Sequence, residues 1–165
     1  MDGVAPWSGI HARVAALTAD RRGAFAMACA EHLVSLEAST RESQLRAVLA
    51  DAWVVLLGER GDLAERRRAL AAREDLDDDE VAAVAFALDA VAELGRTDAT
   101  LWAAGRAMDA AYTRVVYEPG ATALRPLSVD TAEPVVQAEL AWQAKAVGLL
   151  EGPGSLPEVV EALRS

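Results

Sequence analysis

The sequence holds one cysteine, Cys29, so no intramolecular disulfide can form, a pattern that suits a reducing compartment. Aromatic residues make up only 5% of the 165 positions, and Val, Ile and Thr nowhere alternate with polar residues for long, which disfavours strands. Basic residues number 16, with Lys145 the one lysine, against 26 acidic residues. The net charge of -10 argues against direct binding to nucleic-acid phosphates, which requires a basic footprint, and suits a basic protein partner or simply solubility. No apolar run approaches the roughly 20 residues of a membrane span, and the longest strong one covers residues 52–57. The first residues lack the positively charged start and long apolar stretch of a secretory leader, so the expected location is cytoplasmic.

What is present forms helices. Alanine dominates a 53% hydrophobic fraction, and apolar residues recur at spacings of three and four in segment after segment. The chain centres on residues 81–94, where Val81, Val84, Leu88 and Val91 make one stripe, Ala85, Ala92 and Leu94 widen it, and Gly95 ends it. Upstream, Ser8 is expected to cap a short helix carrying Ile10, Val14 and Leu17. A second helix begins near Thr18 or Asp20 and carries Phe25, Cys29, His32 and Leu33, with Gly23 weakening its start. Ser39-x-x-Glu42 and Asp62-x-x-Glu65 have the form of capping boxes, the first before a stripe from 45 to 56, the second before a short, mostly solvated helix over 66–73.

Downstream, Thr97 or Asp98 opens a helix with Leu101, Trp102 and Met108. Asp130 is expected to cap a long helix with Val136, Leu140, Trp142 and Val147, and Ser155 a terminal one. The stretch 118–129, with Pro119, Gly120 and Pro126, reads as the one sizeable loop and as a partner-contacting connection. Together these segments predict an all-α fold: one compact domain, residues 1–165, bundling about seven or eight helices because each apolar stripe needs a facing one.

The first candidate site is the entrance to the central helix, where Glu74, Asp75, Asp77, Asp78, Asp79 and Glu80 put six carboxylates in seven residues. Carboxylates beside a helix N-terminus gain about 0.3–1 kcal/mol each, and at least one is expected to cap. Neighbours about 6 Å apart repel by roughly 0.7 kcal/mol per pair in water, so six exceed what a cap requires. The simplest reading is a solvated, charged helix entry, and the surplus over a cap is the hint of a basic protein partner. The run has no glycine and so lacks the pattern of a calcium-binding loop.

The remaining candidates have simpler readings. Cys29 and His32 share a helix face, but a zinc site needs two more ligands and the one other histidine is His11; Cys29 reads as a core residue. Trp53, Trp102 and Trp142 read as core anchors on three helices, or as the lining of a ligand pocket. Arg60, Arg66, Arg67, Arg68 and Arg73 share the window 59–80 with nine carboxylates, which favours internal pairing over phosphate binding. Glu133 and Glu139 lack the Glu-x-x-His companion of di-iron bundles, and Gly152-Pro153-Gly154 lacks the Lys of a phosphate loop. No cofactor is implied.

Four segments in order, Ala28-Cys29-Ala30-Glu31-His32-Leu33, Asp51-Ala52-Trp53, Ala87-Leu88-Asp89-Ala90 and Glu139-Leu140-Ala141-Trp142-Gln143, resemble the YjaG-like family of all-helical bacterial proteins over roughly residues 10–150. That resemblance implies a helical bundle and no established activity; His32 stands where the family more often has Arg. The first segment is also similar, more loosely, to the opening helix of the helical immunity proteins of bacterial toxin systems, which implies an acidic surface docking over a basic toxin domain. The leading expectation is therefore a non-catalytic immunity or inhibitor protein with residues 74–80 as its contact surface. The alternatives are a small-molecule-binding bundle or weak enzyme around the tryptophans and Cys29-His32, and a structural homodimer.

Overall fold

The computed structural model describes residues 7–59, 61–115 and 127–165. Those residues form nine helices and no strand: α1 (Ser8–Ala16), α2 (Ala19–Glu37), α3 (Glu42–Leu56), α4 (Ala64–Ala71), α5 (Asp79–Ala92), α6 (Thr97–Thr113), α7 (Leu127–Thr131), α8 (Pro134–Glu151) and α9 (Leu156–Arg164). Among the described residues no helix is long and apolar enough to cross a membrane.

The α5 helix is central because it is apolar nearly all round, with Val81, Ala82, Ala83, Val84, Ala87, Leu88, Ala90 and Val91 buried. It packs most extensively on α2 and α6, while α3 and α4 cover the rest. The facing surfaces explain the abundance of alanine. Ala24, Ala26 and Ala30 on α2 and Ala99, Ala103 and Ala107 on α6 are buried and short, so the axes approach closely and the larger Phe25, Leu33 and Leu88 fill the gaps between layers. One contiguous core runs from Ile10 to Val160, with a smaller cluster of Met108, Ala111, Val115 and Val136 between α6 and α8.

Several expectations change. The helix beyond the expected eight is the short α7; Asp130 lies within it, and α8 starts at Pro134 with Glu133 in the cap position. The expected loop over 118–129 lies outside the described residues as far as 126. Ser155 caps α9 as expected, in a capping box in which Glu158 Oε2 accepts from the Ser155 backbone N–H at 2.7 Å. Ser39 Oγ instead accepts from the Arg41 N–H at 3.2 Å, and Asp62 Oδ1 from the Ala64 N–H at 2.8 Å. Each makes a turn two residues long, so the helix begins later than a box requires and Arg41 or Leu63 takes the cap position. Likewise α1 begins at Ser8 itself, with Trp7 preceding it.

Gly23 does not mark the start of α2 but lies buried inside it. A Cβ there would stand 3.2 Å from both Leu56 Cδ1 and Leu94 Cδ2, so the glycine permits close approach of α3 and the end of α5. Leu94 is 39% exposed and lies beyond the last turn of α5, not on its stripe. The turn after α8 is tied to α2 by Arg21, which donates to the carbonyls of Leu150 (2.5 Å), Gly152 (2.7 Å) and Gly154 (2.8 Å). This clamp ties the turn before α9 to α2.

Candidate functional site

The acidic entrance is a turn stapled by arginines from two other segments. Arg41, just before α3, donates to Asp75 Oδ2 at 2.9 Å and to Asp78 Oδ2 at 2.5 Å, and its other terminal nitrogen meets Glu80. Arg73 grips Asp75 bidentately at 2.7 and 2.8 Å, and Arg106 on α6 reaches Asp79 at 3.3 Å. Arg73 and then Arg41 hold the Asp75 carboxyl well below the usual carboxylate range, while Asp78 and then Asp75 push the Arg41 guanidinium up. None of the run caps α5: Asp78 occupies the cap position, yet its carboxylate goes to Arg41. Glu80 is buried at 3% exposure.

The six carboxylates therefore do not act as one surface. Two guanidinium groups, Arg41 and Arg73, face three carboxylates, Asp75, Asp78 and Glu80, so pairing is incomplete. Glu74 and Asp77 are exposed and carry no ion pair among the described residues. Of the basic patch, Arg66 pairs with Asp51, Arg67 with Asp89 and Glu93, and Arg73 with Asp75, all internally; Arg60 lies outside the described residues.

Beside this turn lies an apolar patch. Trp102, expected in the core, is 47% exposed and rests on Phe86 with ring centroids 5.3 Å apart. Phe86, Leu76, Ala82 and Ala85 line a groove of about 250 Å³ rimmed by Asp77, Asp89, Arg67 and Arg106. The Arg96 guanidinium lies 5.8 Å from the Trp102 ring. Trp102 falls in register with Arg106 and Asp109, four and seven residues on, across the helix from the buried Thr100, Ala104, Ala107 and Ala111; that spacing is the signal that places it outward. Asp109, near Asp79, has its carboxyl pushed up by partial burial and then by that neighbouring charge.

The other two tryptophans do enter the packing. Trp53 is 3% exposed, and its indole N–H donates to Glu31 Oε2 at 3.3 Å. Trp142 lies flat on His32, with centroids 4.0 Å apart and planes 2° from parallel. Beneath them are polar residues that sequence reading did not connect. Glu139 is 3% exposed with Oε2 at 3.3 Å from His32 Nε2, while Gln143 donates to Glu139 Oε1 at 2.9 Å and to the Ala104 carbonyl at 3.2 Å. Glu139 and Gln143 share the buried stripe of α8 with Val136, Ala146 and Leu150, so two polar residues at core spacing were the available clue. Cys29 is fully buried nearby, its thiol pushed up by burial and then by the Glu139 charge. Among the described residues no three His, Cys, Asp or Glu side chains converge to hold a metal.

Compared with protein-family models, curated proteins and solved structures, the chain matches none.

Proposed function

We propose that this chain is a non-catalytic helical binding protein that docks on a more basic protein domain, in the manner of an inhibitor or immunity protein covering a toxin domain. The observation that carries this reading is Trp102, half-exposed over Phe86 at the edge of an incompletely neutralised acidic turn. Interfaces are anchored by a few such aromatic residues inside a polar rim, and complementary charge speeds encounter more than it tightens the complex. In this arrangement Trp102, Phe86 and Leu76 are the anchor. Glu74 and Asp77 supply the exposed negative rim, whereas Asp75, Asp78, Asp79 and Glu80, held by Arg73, Arg41 and Arg106, shape the turn. The looser similarity of the segment Ala28–Leu33 within α2 to helical immunity proteins supports the same reading.

The test is co-purification from the native source with the wild-type chain and a Trp102→Ala chain as parallel baits. One stoichiometric basic protein, retained at low salt and lost from the Trp102→Ala bait, is the expected result. No stoichiometric protein, or equal retention by both baits, contradicts it. Sedimentation of the chain alone should show a monomer; a dimer abolished by Trp102→Ala would assign the face to a second copy instead.

A further inference from the structure

The apolar groove beside Trp102 has a polar neighbour. Where the entrance of α5 meets the ends of α2 and α6 lies a pocket of about 350 Å³, in which five carboxylates, Glu37, Asp77, Asp78, Asp79 and Glu80, face two guanidinium groups, Arg41 and Arg114. Arg114 is taken by Glu37, and Arg41 is divided among Asp75, Asp78 and Glu80. Asp79 is met by Arg106, which lines the groove rather than the pocket. Asp77 lines both compartments and has no ion pair among the described residues.

The pocket is therefore short of positive charge. Glu80 sharpens the deficit: it lines the pocket at 3% exposure, and its Oε2 accepts no hydrogen bond from the described residues. A buried carboxylate oxygen without a donor is costly, and a cation brought close to it offsets part of that cost through the weakly screened interior. An inorganic cation does not fit, because among the described residues no three His, Cys, Asp or Glu side chains converge to hold one. A guanidinium or ammonium group needs no such convergence. Its N–H groups point in several directions and bond carboxylates that stand apart.

Resting on the docking reading above, we propose that the partner enters this pocket with one arginine or lysine side chain, while an apolar side chain of the same segment fills the groove against Phe86 and Leu76. The basic group pairs with Asp77 and reaches the outer edge of Asp78, whose side chain is 55% exposed. The Asp79–Arg106 pair separates the two compartments and so sets the distance between the two side chains. The segment recognised is basic and apolar at once, and neither property alone suffices.

The experiment selects peptides from a random library with the full chain, then measures the affinity of the enriched peptides for wild type, Asp77→Asn, Trp102→Ala and Glu65→Gln. Asp77 is exposed and unpaired among the described residues, so its variant leaves the turn intact. Glu65, exposed on α4, lines neither compartment, and its variant makes the same charge change elsewhere. Enriched peptides are expected to carry Arg or Lys within a few residues of a large apolar side chain. Asp77→Asn should weaken them at least roughly tenfold, as loss of a close interfacial charge pair does, and Glu65→Gln should not. Peptides without a basic residue, or ones held equally by wild type and Asp77→Asn, overturn the proposal; if they are still lost from Trp102→Ala, the docking reading stands without it. Peptides indifferent to Trp102→Ala count against the docking reading itself. Failure to select any peptide, or equal weakening by Glu65→Gln, also overturns the proposal.

Discussion

Arg41 is the residue on which the acidic turn depends. Among the described residues it alone pairs with Glu80, whose buried carboxylate loses that counter-charge if the guanidinium is removed. Arg41→Ala should destabilise the fold by roughly 1–3 kcal/mol, below the cost of breaking a fully buried pair because Arg41 itself is partly exposed, and urea denaturation reads it directly. Asp75 gives the pH dependence. Its carboxyl is depressed in the folded state by Arg73 and then Arg41, so its stabilisation is complete above the ordinary carboxylate value near pH 4 and is lost as pH falls through the lower folded value. Asp75→Asn should therefore lower stability at pH 7 and flatten its decline below about pH 4. Part of this was legible: Glu80 falls in register with Val84, Ala87 and Val91, so its burial follows from spacing. Which arginine answers it was not, because Arg41 is far away in sequence and long-range pairing leaves no periodic signal.

Among the elements, α5 followed from its sequence because the stripe of Val81, Val84, Leu88 and Val91 is widened by alanines until little of the helix is left for solvent, and α2 and α6 followed from stripes of three and four. The starts of α3 and α4 did not, because Ser39 and Asp62 satisfy a capping pattern and a local turn equally well, and the turn prevails. The α6 helix offers a clean check on packing. Gly105 sits mid-helix with no heavy atom within 4 Å of an added Cβ, so nothing in its surroundings requires glycine. Gly105→Ala should raise stability by about 0.5–1 kcal/mol, measured as a higher urea midpoint at unchanged slope. No change, or a loss, would mean that α6 contacts more than these helices.

Across the whole molecule, charge is sorted by face, with carboxylates in excess around the start of α5 and the arginines among the described residues largely paired internally. The all-α bundle was readable from composition and spacing alone. The sorting was not, since it depends on which helix faces end up adjacent and on internal pairing that cancels much of the acidic run. The surplus that survives pairing predicts an association rate that falls steeply with salt while dissociation changes little. The most direct test is the equilibrium affinity of the recovered basic partner for three chains: wild type, Trp102→Ala, and Val54→Ala, which trims a comparably exposed apolar residue on α3 at 41% exposure. The docking account predicts that Trp102→Ala weakens binding by about thirtyfold or more, as loss of an aromatic anchor does, and that Val54→Ala leaves it unchanged. Equal affinities for all three chains, with each variant melting as the wild type does, would contradict it.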